Sequence, residues 1–200
     1  MRKYIVAVDI DGVVWDLLTP WLARYCKISG DHITPDDVKS YDIESYIKGG
    51  HSELLHYVLE MEDFWDTVCL FDGVYEAVSK LDNNPKVDLV FVTATDYRVA
   101  LKKFNRFFEL LPMVSTNQLI IMPRKELIDT HYLIDDWECN LKHMAKSKRG
   151  MPVLITQPYN KSFPNNMYGI TRTCSLCEAV DIILNDISKE EDLWKRLETM

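Results

Sequence analysis

In three places a short aliphatic run ends in residues that could do chemistry. Tyr4-Ile5-Val6-Ala7-Val8 leads into Asp9-Ile10-Asp11-Gly12, and Val87-Asp88-Leu89-Val90-Phe91-Val92 leads into Thr93-Ala94-Thr95-Asp96. Tyr132-Leu133-Ile134 leads into Asp135-Asp136. Near-continuous apolar runs of this length suit strands buried on both faces, as in a parallel sheet. Ligands of such open sheets bind outside the carboxyl ends of the strands, so the acids and Thr93 are expected to share one crevice. Gathering Asp9, Asp11, Asp135 and Asp136 costs repulsion unless a hard cation sits among them. Magnesium takes oxygen ligands, keeps several waters and often shares its site with a substrate phosphate, which matches this donor set. Each acid could instead cap a helix or open a turn. That reading handles any one pair, but not the gathering of acids at strand ends.

The elements that must position these groups follow from the same patterning. Leu119-Ile120-Ile121-Met122 and Val153-Leu154-Ile155 read as further strands. Tyr97 to Leu111, Glu138 to Lys148 and Gly73 through Leu81 have lengths and patterns suited to helices. Alternating strands and helices imply an α/β fold, a Rossmann-like parallel sheet of about five strands flanked by helices. The stretch from Val8 to Val87 is far longer than a normal crossover. Within it, the segment 17–71 carries Trp21, Tyr25, Tyr41, Tyr46, Tyr57, Phe64 and Trp65, too much apolar surface for disorder. It reads as a small helical insertion, leaving 1–16 and 72–200 as the α/β core.

The 200 residues suffice to bury a full core, at 47% hydrophobic and 27% charged composition. The net charge of −8 opposes binding to a polyanion, and Lys146, Lys148 and Arg149 form the only tight basic cluster. A nucleic-acid polymer is therefore not the expected partner, whereas a mononucleotide needs only a few local cations. The N-terminal apolar run is too short for a secretory h-region, and no run approaches bilayer-spanning length; a cytoplasmic protein without a membrane partner is expected. The five cysteines, Cys26, Cys69, Cys139, Cys174 and Cys177, are scattered and odd in number. Cys174 and Cys177 read as two thiols on the first turn of a helix, since no second ligand pair for zinc is present. The five histidines, His32, His51, His56, His131 and His143, show no metal spacing. Oligomeric state stays open, a homodimer included.

This pattern resembles the haloacid dehalogenase-like hydrolases. Their motifs appear in order as Asp9-Ile10-Asp11-Gly12-Val13, Thr93, Lys125 and Asp135-Asp136. The resemblance implies that Asp9 attacks phosphorus to form an aspartyl-phosphate and that Asp11 serves as general acid, then general base. It implies Mg²⁺ held by Asp9, the Asp11 carbonyl and Asp135, with Asp136 orienting metal-bound water. Thr93 and the Ala94 amide would hold phosphate oxygens, and Lys125 would add positive charge beside Asp9. Arg124 is the neighbouring alternative to Lys125. Gly12 would permit a tight turn near the phosphate.

Within that superfamily the chain is similar to the deoxy-type 5′-nucleotidases, or 5′(3′)-deoxyribonucleotidases. The similarity rests on Asp9-Ile10-Asp11-Gly12-Val13-Val14-Trp15-Asp16, on Phe64-Trp65 before Gly73-Val74-Tyr75-Glu76-Ala77-Val78, and on Leu133-Ile134-Asp135-Asp136. It implies that the insertion is a cap over the crevice and that the substrate is a deoxynucleoside monophosphate. Phe64 and Trp65 would stack on or enclose the base, or would equally serve as cap core. Leu17 stands where the family tends to carry an aromatic ring, Ala94 where it often has Ser, and Pro123 where it often has Arg. The alternatives are a same-fold phosphatase for another small ester, such as a sugar phosphate, and a non-catalytic phosphate-binding module.

Overall fold

A computed structural model of the chain describes residues 3–147 and 150–198. Six strands form one parallel sheet: β1 (Tyr4–Val8), β4 (Val87–Thr93), β5 (Leu119–Ile121), β6 (Tyr132–Asp135), β7 (Met151–Ile155) and β8 (Thr171–Thr173). Their order is β5-β4-β1-β6-β7-β8. Two-residue strands β2 (Trp15–Asp16) and β3 (Cys69–Leu70) form a separate antiparallel ribbon. The helices are α1 (Leu18–Ser29), α2 (Ser52–Glu60), α3 (Val74–Asp82), α4 (Ala100–Leu110), α5 (Glu138–Ser147) and α6 (Leu176–Glu198).

The apolar runs form the central strands because alternate side chains fill two different cores. Val6, Val8, Phe91 and Ile134 point into a core shared with Ala77 and Val78 of α3, Phe107 of α4 and Ile183 of α6. Ala7, Val92, Leu133 and Leu154 point to the opposite face, where Leu141 and Met144 of α5 cover them. Helices on both faces explain why these strands read as continuous apolar runs.

The expected sheet of about five strands gains a sixth. β8 is Thr-Arg-Thr, an edge strand with no apolar run, so hydrophobic patterning did not reveal it. The loop around it, otherwise without an assigned role, packs against the crevice. α4 starts at Ala100 rather than Tyr97, because Asp96 accepts the Arg98 amide at 2.9 Å and holds that stretch in a turn. Cys177 lies in the first turn of α6, but Cys174 precedes the helix, its amide donating to Glu178 Oε2 at 2.8 Å. Of the basic cluster, Lys148 and Arg149 lie outside the described residues.

The segment 17–71 leaves the core after β2 and returns at β3, so the ribbon pairs its two ends, Asp16 opposite Cys69. Inside it α1 packs on α2, and the Trp21 indole donates to the Leu55 carbonyl at 2.6 Å. Arg24 pairs with Asp63 at 3.0 Å. Contact with the core comes from α4, where Lys102 donates to the Glu60 carbonyl at 2.7 Å and Arg106 to the Val68 carbonyl at 2.9 Å.

Candidate active site

The connection after β1 leads to one side of the sheet and that after β6 to the other, so the switch point lies between these two neighbours. Val8 pairs with Ile134 in register, and the Asp9 amide donates to the Ile134 carbonyl at 2.9 Å. Asp9 and Asp135 are thereby set side by side across the switch. Asp9, Asp135 and Asp136 each present an oxygen within 4.8 Å of the others, and all three are buried.

Lys125 reaches this cluster from a single 3-10 turn (Lys125–Leu127) after β5. Its ammonium lies 2.7 Å from Asp9 Oδ1 and 2.8 Å from Asp135 Oδ2. Arg124, the alternative, is exposed and pairs with Glu126 at 2.8 Å. Asp135 also accepts the Trp137 amide at 2.8 Å and the Asn140 side-chain amide at 2.9 Å. Burial pushes Asp9 up to about 7, the charges of Asp135 and Asp11 add to this, and Lys125 opposes it. Burial works against the Lys125 charge, but the two carboxylates outweigh it and hold the amine protonated.

Asp136 receives the Tyr159 hydroxyl on Oδ2, while its Oδ1 is buried with no hydrogen-bonding partner. Burial and the nearby Asp9 and Asp135 charges push its pKa well up. Burial, reinforced by Asp136, likewise keeps the Tyr159 phenol protonated and able to donate. A buried carboxylate oxygen without a donor is costly. Three close carboxylates served by the single ammonium of Lys125 form a site short of positive charge. An all-oxygen donor set with one orphaned oxygen fits a hard divalent cation of the magnesium type.

Asp11 stands apart from that cluster. Its carboxylate accepts the Trp15 indole at 2.8 Å and pairs with Lys103. Lys103, with 3% of its side chain exposed, also donates to Thr93 Oγ1 at 2.8 Å and to the Ala94 carbonyl at 3.2 Å. It joins the two strand-end motifs, and sequence reasoning missed it. A signal existed: Val99, Lys103 and Phe107 are spaced i, i+4, i+8, which puts this lysine on the apolar face of α4.

Gly12 adopts φ +71°, and a Cβ there would meet Asp136 Oδ2 and the Tyr159 hydroxyl. The turn after β1 can therefore press against the Asp136 carboxylate only without a side chain.

Above these groups lies a cavity of about 330 Å³ between the core and the 17–71 segment. Asp11, Ala94, Lys103 and Asp136 reach its polar end. Leu17, Trp21, Tyr41, Ile43, Leu59 and Trp65 contribute to its apolar wall. Phe64 requires a correction: it is fully buried, outside that lining, and packs edge-on against Trp65 with centroids 5.4 Å apart. It follows a turn that directs its ring into the core rather than the cavity. Trp65 lines the cavity although only 3% exposed, its indole donating to the Leu59 carbonyl at 2.9 Å. Trp21 and Tyr41 are aromatic lining residues that the sequence did not single out.

The profile of the family "5′ nucleotidase, deoxy (pyrimidine), cytosolic type C protein" matches residues 3–189. A 5′(3′)-deoxyribonucleotidase of Clostridium acetobutylicum is 28% identical over 162 residues, 81% of this chain and 87% of that protein. One from Bacillus subtilis is 26% identical over 161 residues, 80% of this chain and 89% of that protein. Among solved structures, a haloacid dehalogenase-like protein from Agrobacterium tumefaciens superposes with a TM-score of 0.61 at 13% identity, covering 92% of this chain and 99% of its own. With the family profile spanning nearly the whole chain, and an acidic crevice at the switch point of a haloacid dehalogenase-like fold, this chain belongs to the deoxy-type 5′-nucleotidase family.

Proposed function

We propose that this protein is a magnesium-dependent phosphomonoesterase that hydrolyses deoxynucleoside monophosphates through an aspartyl-phosphate on Asp9. The observation that carries this reading is the buried cluster of Asp9, Lys125, Asp135 and Asp136, of which Asp136 also lines the apolar-walled cavity. The cavity volume suits a small-molecule ligand. Its rings and aliphatic side chains favour a planar base over a hydroxyl-rich sugar phosphate. In this reading the segment 17–71 is the cap, and Leu17, Trp21, Tyr41 and Trp65 face the nucleoside.

Asp9 Oδ1 is held by Lys125 at 2.7 Å and by the Ile10 amide at 2.7 Å, so Oδ2 is the oxygen that attacks phosphorus. Asp11 gives its proton to the departing ester oxygen and then takes one from the water that cleaves the acyl-phosphate. The Trp15 indole fixes the orientation of Asp11 for both transfers. Thr93, the Ala94 amide, Lys103 and Lys125 supply donors and charge to the phosphoryl oxygens. Asp9, the Asp11 carbonyl, Asp135 and Asp136 would hold the Mg²⁺. Once bound, that ion neutralises the carboxylates and the transferring phosphate, so that two anions can meet.

The test is phosphate release from ribo- and deoxyribonucleoside monophosphates and sugar phosphates, with magnesium or with chelator, on wild type and Asp9→Asn. Magnesium-dependent release, strongest on deoxynucleotides and abolished by Asp9→Asn, is expected. Release confined to sugar phosphates would overturn the substrate, and undiminished turnover by Asp9→Asn would overturn the nucleophile.

A further inference from the structure

Asp136 is bonded differently from the other two carboxylates of the cluster. Asp9 and Asp135 each face Lys125 and a backbone amide. Among the described residues the side chain of Asp136 accepts one hydrogen bond, from Tyr159 to Oδ2, and its Oδ1 is buried without a partner. A carboxylate with both oxygens free can turn about its Cβ–Cγ bond and offer a cation either oxygen or both. With Oδ2 accepting the Tyr159 phenol, turning the carboxylate breaks that bond, so Oδ1 is the oxygen offered without that cost.

The phenol is held by its surroundings. Tyr159 occupies the middle of a single 3-10 turn (Pro158–Asn160) after β7. On one side of it the Gln157 side chain donates to the Gly12 carbonyl at 2.6 Å. On the other, the Asn160 side-chain amide donates to the carbonyls of Asp136 and Ile155, each at 2.8 Å. Arg172 of β8 clamps the turn from behind, donating to Asn160 Oδ1 at 3.1 Å, the Asn160 carbonyl at 3.0 Å and the Phe163 carbonyl at 2.6 Å. Tyr41 packs edge-on against the Tyr159 ring at 5.8 Å and stacks on Trp137, next in sequence to Asp136, at 4.5 Å.

We propose that Tyr159 is a positioning residue for Asp136, holding that carboxylate in a one-oxygen presentation that favours Mg²⁺ over Ca²⁺. Magnesium demands near-ideal octahedral geometry from few, single-oxygen protein ligands, whereas calcium accepts bidentate carboxylates and higher coordination. Fixing Oδ2 therefore helps the smaller ion and withholds a second oxygen from the larger one. The inference rests on the metal-site reading under the proposed function and adds to it the residue that tunes the site.

The test is calorimetric titration of Mg²⁺ and of Ca²⁺ into the chelator-treated full chain as wild type, Tyr159→Phe, Asp136→Asn and the double variant, with metal-free thermal melts alongside. Tyr159→Phe keeps the ring packed on Tyr41 and removes only the donor. It is expected to weaken Mg²⁺ binding by roughly 10-fold, the lower end for loss of a partner behind a metal ligand, and Ca²⁺ binding by less. In the Asp136→Asn background the same change is expected to add nothing, because Tyr159 acts through that carboxylate. Unchanged Mg²⁺ and Ca²⁺ affinities in Tyr159→Phe, or equal losses of both ions in both backgrounds, would overturn the proposal while leaving the metal site standing. Wild-type protein that binds no Mg²⁺, or Asp136→Asn that binds it as wild type does, would overturn the metal-site reading and this inference with it. Where Tyr159→Phe does not fold, Arg172→Gln unties the turn from a distance and reads the same ratio of affinities; an unchanged ratio there overturns the proposal.

Discussion

Lys103 lies one residue from Lys102 on α4, yet the two amines meet different surroundings. Lys102 bonds to the Glu60 carbonyl and to exposed Glu62, whereas Lys103 is buried against Asp11 and Thr93. Burial strengthens the field of an ammonium at the point where charge develops, and solvent weakens it. Lys103→Met keeps the aliphatic stem and is expected to lower kcat/KM for a deoxynucleotide by on the order of 10²–10³, as for loss of one buried oxyanion donor. Lys102→Met should stay within about twofold, as for an exposed ion pair. Steady-state kinetics on the two variants decide the point; equal effects would mean that Lys103 serves the helix and not the phosphate.

Among the elements, the turn after β1 carries the tightest requirement. The Gly12 amide donates to the Trp15 carbonyl at 3.1 Å, which closes the turn at φ +71° and brings its backbone against Asp136 and Tyr159. Gly12→Ala meets both a left-handed φ and a collision with the Asp136 carboxylate. It is expected to cost about 1–3 kcal/mol, the range for a non-glycine residue in a strained backbone region, and to weaken Mg²⁺ binding by displacing Asp136. Urea unfolding and metal titration measure the two effects separately. Wild-type values in both would show that the turn relaxes without disturbing the carboxylate. The turn carrying Tyr159 belongs to the same assembly, and its anchor, β8, is the strand with the least apolar sequence.

The molecule as a whole couples its stability to pH and metal through the buried acids. Asp9 titrates near 7 in the folded chain against 3.8 for an ordinary aspartate, so folding retains a proton that the unfolded chain loses above pH 3.8. The stabilisation from that proton is complete below the ordinary value, declines as pH rises from there through about 7, and is gone above it. Metal-free Asp9→Asn, which has no such proton, is therefore expected to gain in melting temperature relative to wild type as pH rises from about 4 to about 7. Saturating Mg²⁺ should reverse the trend for wild type, since the ion binds the ionised carboxylates of the folded state. Melts across that range with and without metal test this; a difference between the two proteins that does not vary with pH would rule out the shifted Asp9.

What the sequence determined by itself was local. Apolar runs buried on both faces set the strands, and each run ended at a polar residue, which placed Asp9, Thr93 and Asp135-Asp136 at the carboxyl ends of neighbouring strands. Those are effects of neighbours along the chain, and periodicity carries them. The aromatic richness of 17–71 likewise pointed to a packed segment, and α1 packs on α2 there. The tertiary structure alone decided which rings face the cavity, because Phe64 and Trp65 are adjacent in sequence and differ only in the direction the backbone gives them. It alone brought Lys103 to Asp11 across the crevice and Tyr159 to Asp136 from an edge strand's loop. Such pairings join residues far apart in the chain, and no local propensity or spacing encodes them. They exist because the strand order sets β1 beside β6 at the switch point, with β4 next to β1 on one side and β7 next to β6 on the other.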